Sequence, residues 1–324
     1  MSETYRGEAI KGDFRGKHII SIDQFGREDI DQLFEEAEAT RCAVKSYGGT
    51  DVLRRRELAN LFYEPSTRTS SSFEAAMHRH GGNVIQINNV EYSSVAKGET
   101  LQDTVRSLEQ YSDVTVLRHP KLGAVAVAAE VAKNPVINAG DGAGEHPTQA
   151  LLDLFTIQEK LGRIDDLNIT LLGDLKNGRT VHSLARLLSK YNVSINYVSP
   201  EELAMPRSYI KELAKKGVEQ VELGELGAIL PETDVLYVTR VQGERFLDQE
   251  EYHRLKNAFK ITPKVLENAK DDMIVMHPLP RVGEISEGVD NDPRAAYFDQ
   301  MEYGMYVRMA LLAKVLGKSV IDKS

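Results

Sequence analysis

Apolar positions along this chain come in two rhythms, short unbroken runs and stretches of helical period, and the two alternate over most of its length. After a polar leader, His18 to Ile22 reads as a short strand or the lead-in to a helix. Ile30, Leu33, Phe34, Ala37 and Val44 then recur at helical spacing, with Arg41 as the one polar interruption. Leu58 to Tyr63 predicts a buried strand, broken only by Asn60, and a helix after Ser66 carries Phe73, Ala76 and Met77 inward until Gly81 and Gly82 stop it. The same alternation predicts strands at Val84–Ile87, Val114–Leu117 and Val136–Asn138, with helices at Leu101–Tyr111 and Ala124–Ala132. Pro147 opens a helix to Leu161 whose Leu151, Leu152, Leu154, Phe155 and Ile157 make it apolar enough to expect burial between domains.

A second series begins there: strand Ile169–Leu172, helix Arg179–Tyr191, strand Ser194–Val198, a helix near Tyr209–Lys216, and strands Val235–Val238 and Met273–Met276. A long apolar helix from Gln300 to Leu316 ends at Gly317. Strands alternating with helices imply parallel sheets covered on both faces. The expected fold class is therefore α/β, with two doubly wound domains, each a mainly parallel sheet flanked by helices, over residues 1–149 and 150–299.

Composition narrows the functional classes. A chain of 324 residues is too long for one typical core, and its 41% hydrophobic content suits a globular protein. A net charge of −9 argues against a general nucleic-acid or anionic-membrane surface, so any bound anion must be held by a local cluster of Arg, Lys and backbone N–H groups. The single cysteine, Cys42, excludes an internal disulfide and a cysteine-rich zinc site; its place near a helix end suggests a structural thiol in a reducing cytoplasm. The N-terminal stretch MSETYRGEAIKGDF has no apolar h-region and no run of eighteen apolar residues occurs, so neither secretion nor membrane spanning is expected.

Candidate chemistry gathers where the strands end, which in a parallel sheet is where ligands bind. The run to Tyr63 is followed by Ser66, Thr67, Arg68 and Thr69: hydroxyls at a helix start, whose orphan N–H groups and positive dipole end favour an anion, and a guanidinium fork that fits a phosphate. Arg118 and His119 follow Leu117, and DGAGEHPTQ, with His146 and Gln149, follows Asn138. Singly, Arg118 reads as a surface ion pair and His146 as a structural histidine; their joint placement favours a site. In the second half, GDLKNGRT after Leu172 lacks the spacing of a dinucleotide fingerprint, which leaves a nicotinamide enzyme as a weak competitor. TRVQGER follows Val238 and MHPLPR closes the last strand.

The string EPSTRTSSSF resembles the carbamoyl-phosphate signature of the aspartate and ornithine carbamoyltransferases, and HPTQALLDLFTI, TRVQGER and MHPLPR resemble the aspartate-specific side of that family over nearly the full length. The resemblance implies ligands in the crevice between domains, with the closing helix, about residues 300–317, returning to the first. It implies carbamoyl phosphate held by Ser66, Thr67, Arg68, Thr69, Arg118, His146 and Gln149 and by the backbone of Leu279 and Pro280, across a cis bond. Aspartate would meet Lys97, Arg179, Arg240, Gln242 and Leu279, two guanidinium forks suiting two carboxylates. EYSSVAKGET resembles a loop whose Ser93 and Lys97 enter a neighbouring subunit's site, so a homotrimer with shared sites is implied. Glu64 would form interdomain ion pairs with Arg179 and Arg245.

The implied reaction is attack of the aspartate amine on the carbamoyl carbon, giving N-carbamoyl-L-aspartate and phosphate in pyrimidine biosynthesis. Arg68, Thr69, Arg118, His146 and Lys97 would be its catalytic groups. No cofactor and no metal are implied, and a separate regulatory chain is left open. Ornithine-specific relatives carry an S-M-G-like loop and a cysteine in the H-x-L-P turn, where this chain has Arg240 and Pro278. The alternatives are another amino-acid carbamoyltransferase of the same fold and a non-catalytic anion or amino-acid binding protein.

Overall fold

A computed structural model describes residues 7–88, 98–243, 248–256 and 259–321. Helix α1 (Arg27–Tyr47) buries Ile30, Leu33, Phe34, Ala37 and Val44 as their spacing predicts. Cys42, two positions from both Thr40 and Val44, lies off that stripe and is exposed, its thiol 3.5 Å from Glu38, which corrects the expectation of a structural thiol. The rest of the first series is β1 (Glu57–Phe62), α2 (Thr67–Arg79), β2 (Asn83–Asn88), α3 (Leu101–Leu108), β3 (Val114–His119), α4 (Ala124–Val131), β4 (Val136–Asp141) and α5 (Pro147–Leu161). Its strands form a parallel sheet in the order β2-β1-β3-β4. His18 to Ile22 is a single parallel bridge, Ile19 to Ile137, running into a 3-10 turn that Ser21 caps.

The second series is β5 (Leu167–Leu172), α6 (Arg179–Leu188), β6 (Val193–Val198), α7 (Arg207–Lys215), β7 (Glu219–Leu223), β8 (Val235–Val238), α8 (Gln249–Lys256), α9 (Pro263–Leu266), β9 (Ile274–Met276) and α10 (Tyr297–Val315). These strands are also all parallel, in the order β7-β6-β5-β8-β9. Strand β7, EQVEL, was not expected: it is largely exposed, and pairing with β6 rather than burial makes it a strand.

Two compact units result, one of Met1–Leu152 with Glu302–Ser324 and one of Asp153–Met301. Each has its own core. In the first, Leu61, Val105, Leu117, Val125 and Val136 pack together; in the second, Leu172, Val198, Leu236, Val238, Val275 and Tyr297 do. The apolar residues of α5, Leu151, Leu152, Leu154, Phe155 and Ile157, are all buried. Among the described residues no helix is long and apolar enough to cross a membrane.

Candidate active site

Each sheet reverses its winding once, between β1 and β3 in the first unit and between β5 and β8 in the second. At such a switch point the connections leaving neighbouring strands diverge to opposite faces and open a crevice at the strands' carboxyl ends. Ser66 to Thr69 follow β1 and Arg118 lies near the end of β3 at the first point, and Arg179 and Arg240 follow β5 and β8 at the second, while His146 and Gln149 follow β4 and Leu279 and Pro280 follow β9, each one strand further out.

In the first unit β1 leads into α2, whose N-cap, Ser66, makes no side-chain capping bond. Hydroxyls at this position ordinarily cap the helix; here the side chain leaves the first-turn N–H groups to other acceptors. Thr67 and Arg68 are exposed, whereas Thr69 and Ser70 are buried. Asn60, the polar break in β1, holds this helix start to the sheet: its Nδ2 donates to the Ser70 carbonyl at 3.1 Å and to Gln86 Oε1 at 2.7 Å, and Gln86 Nε2 donates to Ser70 Oγ at 2.9 Å.

From the other side of the switch, Arg118 near the end of β3 places Nε 3.2 Å from Glu64 Oε2, and its Nη1 donates to the Ala139 carbonyl at 3.5 Å. Glu64 thus pairs with Arg118 inside one unit, while Arg245 lies outside the described residues. After β4, Glu145 ties the loop down by accepting from Ser21 Oγ and the Ile22 N–H, both at 2.8 Å. His146 and Gln149 follow, both buried, with His146 Nδ1 3.5 Å from Thr148 Oγ1. Asp141, at the end of β4, accepts from the Gly123 N–H at 2.9 Å; burial nonetheless holds its carboxyl above the usual range. Ser93 and Lys97 lie outside the described residues.

In the second unit the chains leaving β5 and β8 touch backbone to backbone. Gly173, at φ +114°, sits where a Cβ would come 2.3 Å from the Thr239 carbonyl oxygen, and the Thr239 N–H donates to Leu172 O at 2.8 Å. Fully buried Asp174 braces both segments, accepting from the Asn177 N–H at 3.0 Å and the Gln242 N–H at 3.3 Å. Arg179 opens α6, and Arg179, Arg240 and Gln242 are each partly exposed beside this switch. After β9, Leu279 is partly exposed and Pro280 exposed, across a cis bond. Arg281 then anchors the loop by a bidentate ion pair with Asp290 and by lying over the Tyr297 ring at 5.3 Å.

Asn60, Asp174 and Glu145 are positioning groups that motif reading passed over. A lone polar residue inside an apolar strand was the available signal for Asn60; nothing local marks the other two.

A family model described as aspartate/ornithine carbamoyltransferase, carbamoyl-P binding domain, matches residues 17–159, and one described as the Asp/Orn binding domain matches residues 165–315. The chain belongs to the aspartate/ornithine carbamoyltransferase family. It is 60% identical over 94% of its length to the multifunctional protein pyr1-3 of Dictyostelium discoideum, of which it spans 14%. It is 52% identical to the aspartate carbamoyltransferase catalytic subunit of Thermococcus gammatolerans, covering 94% of this chain and 99% of that one. Among solved members of the family, aspartate transcarbamoylase from Trypanosoma cruzi, crystallised with carbamoyl phosphate and aspartate, superposes with a TM-score of 0.89 at 47% identity, covering 94% of this chain and 98% of that one.

Proposed function

We propose that this chain transfers the carbamoyl group of carbamoyl phosphate to the amine of L-aspartate, releasing N-carbamoyl-L-aspartate and phosphate, the committed step of de novo pyrimidine biosynthesis. The observation that carries the reading is that each unit presents, beside its own switch point, groups suited to one of the two substrates. Residues 1–149, with the helix over about 300–317, take carbamoyl phosphate at the start of α2, where Ser66 and Thr67 offer hydroxyls and Arg68 a charge. Residues 150–299 take aspartate on Arg179, Arg240 and Gln242. Arg240 and the cysteine-free turn at Pro278 favour a dicarboxylate over ornithine.

The chemistry needs no protein nucleophile. The unprotonated amine attacks the carbamoyl carbon, and Thr69, Arg118 and His146 stabilise the developing oxyanion. Gln149 and the Leu279 and Pro280 carbonyls hold the carbamoyl amino group and the attacking amine, and the departing phosphate takes the amine proton. Acceleration comes from positioning and electrostatics. Ser93 and Lys97 reach the phosphate from a neighbouring subunit, so the working form is a homotrimer in the cytoplasm.

Phosphate release from carbamoyl phosphate, measured across a panel of amino acids, tests the assignment. Release with aspartate and formation of carbamoyl-aspartate are expected; citrulline formation from ornithine, or binding without turnover, overturns it.

A further inference from the structure

His277 follows β9 directly, is fully buried, and has no part in the reaction described above. Its backbone is bolted to the interior of the second unit. The His277 N–H donates to Gln300 Oε1 at 3.0 Å, Gln300 Nε2 donates to Asp153 Oδ1 at 2.6 Å, and Tyr237 Oη donates to Asp153 Oδ2 at 2.8 Å, all four residues being fully buried.

The ring faces the loop that this backbone launches. The Leu279 N–H points at His277 Nδ1 at 2.8 Å, and an amide N–H can only donate, so Nδ1 is the acceptor and carries no proton. The ring proton then sits on Nε2, which donates to Glu284 Oε1 at 2.7 Å. Glu284 uses its other oxygen to accept the Val282 N–H at 2.8 Å. The imidazole and the carboxylate together tie residues 277, 279, 282 and 284 to one another from inside the loop.

Leu279 needs holding. Among the described residues it is one of four non-glycine residues at positive φ, at +55°, a conformation that L side chains rarely adopt. It lies with Pro280 at the carboxyl end of its sheet, where parallel α/β sheets bind ligands. We infer that His277 is a positioning residue: its proton-free Nδ1, kept so by the Nε2 bond to Glu284, fixes the Leu279 backbone in the geometry that bound substrate meets. That the substrates are carbamoyl phosphate and aspartate rests on the function proposed above; the tautomer and the hold on Leu279 do not.

Two substitutions separate the two ring nitrogens. His277→Asn puts an acceptor oxygen near the Nδ1 position and can rebuild the bond to the Leu279 N–H as an Asx turn, whereas His277→Gln keeps a donor near Nε2 for Glu284 and loses the acceptor. With aspartate varied at saturating carbamoyl phosphate, kcat/KM should fall no more than about threefold in His277→Asn and by about thirtyfold or more in His277→Gln, as expected for a misplaced binding loop. Thermal midpoints of the two variants should agree, which separates positioning from folding. The Leu279 amide should exchange slowly in wild type and His277→Asn and quickly in His277→Gln, and nitrogen-15 spectra of the wild type should show the proton on Nε2. Equal losses in both variants, equal Leu279 exchange, or a proton on Nδ1 overturns the inference. Wild type that releases no phosphate with any amino acid instead overturns the proposed function, and the exchange and nitrogen-15 measurements still decide the role of His277.

Discussion

Adding one methyl group at Gly173 tests how closely the second unit's switch point couples stability to substrate binding. The Cβ of Gly173→Ala would lie 2.3 Å from the Thr239 carbonyl oxygen and 2.8 Å from Thr239 Oγ1, and ordinary contact begins near 3.4 Å. The segments leaving β5 and β8 must therefore part by about 1 Å, because backbone rather than a flexible side chain is struck. Parting them weakens the Thr239 N–H to Leu172 O bond, worth about 1 kcal/mol. Holding a non-glycine residue at φ +114° costs a further 1–3 kcal/mol or so. A total destabilisation of about 2–4 kcal/mol follows, readable as a lowered denaturant midpoint by far-ultraviolet circular dichroism. Arg240 follows Thr239 directly, so the same displacement moves a guanidinium assigned to aspartate, and kcat/KM for aspartate should fall by about tenfold to a hundredfold. Half-saturation by carbamoyl phosphate, assigned to the other unit, should change far less. A variant with an unchanged midpoint and unchanged aspartate kinetics would refute both the clash and the placement of Arg240.

Three further outcomes are expected. Arg68→Ala removes an exposed side chain and should leave the melting curve in place while cutting turnover roughly a thousandfold, equivalent to about 4 kcal/mol; an unchanged rate places the phosphate elsewhere. Fully buried His80 has its pKa lowered from 6.5 to about 4 by desolvation, so between those values the unfolded chain binds the extra proton and stability falls as pH drops; about 2 kcal/mol should be lost to this group between pH 7 and pH 5, and His80→Gln should flatten that slope. Lys97→Ala and Arg118→Ala, each inactive alone, should recover up to about a quarter of wild-type activity per site when dissociated and reassembled together; no rescue in verified mixed oligomers withdraws Ser93 and Lys97 from the neighbour's site.

Much of this molecule is legible in its sequence. Runs such as Leu58 to Phe62 and Val235 to Val238 are apolar on both faces, which only a strand covered on both sides can bury, so alternation with helical stretches already implied parallel sheets. The strings that suggest an anion site could be read for a similar reason: hydroxyls at a helix start and guanidiniums beyond strand ends are local patterns whose chemistry does not depend on distant neighbours.

Strand order was not legible, because parallel strands of similar apolarity are interchangeable in a sequence; only the crossovers put β3 beside β1 and β8 beside β5, creating the two switch points. Strand β7 escaped notice because its stability comes from its hydrogen-bonded partner rather than from its own pattern. The roles of Asn60, Asp174 and His277 belong to the same class. Each is a single polar residue whose meaning is its partner, and those partners lie from 2 residues away for Leu279 to 68 for Gln242. Hydrophobic periodicity reports which side of an element is buried. The hydrogen-bond partner of a buried polar atom is decided only when the chain has closed around it.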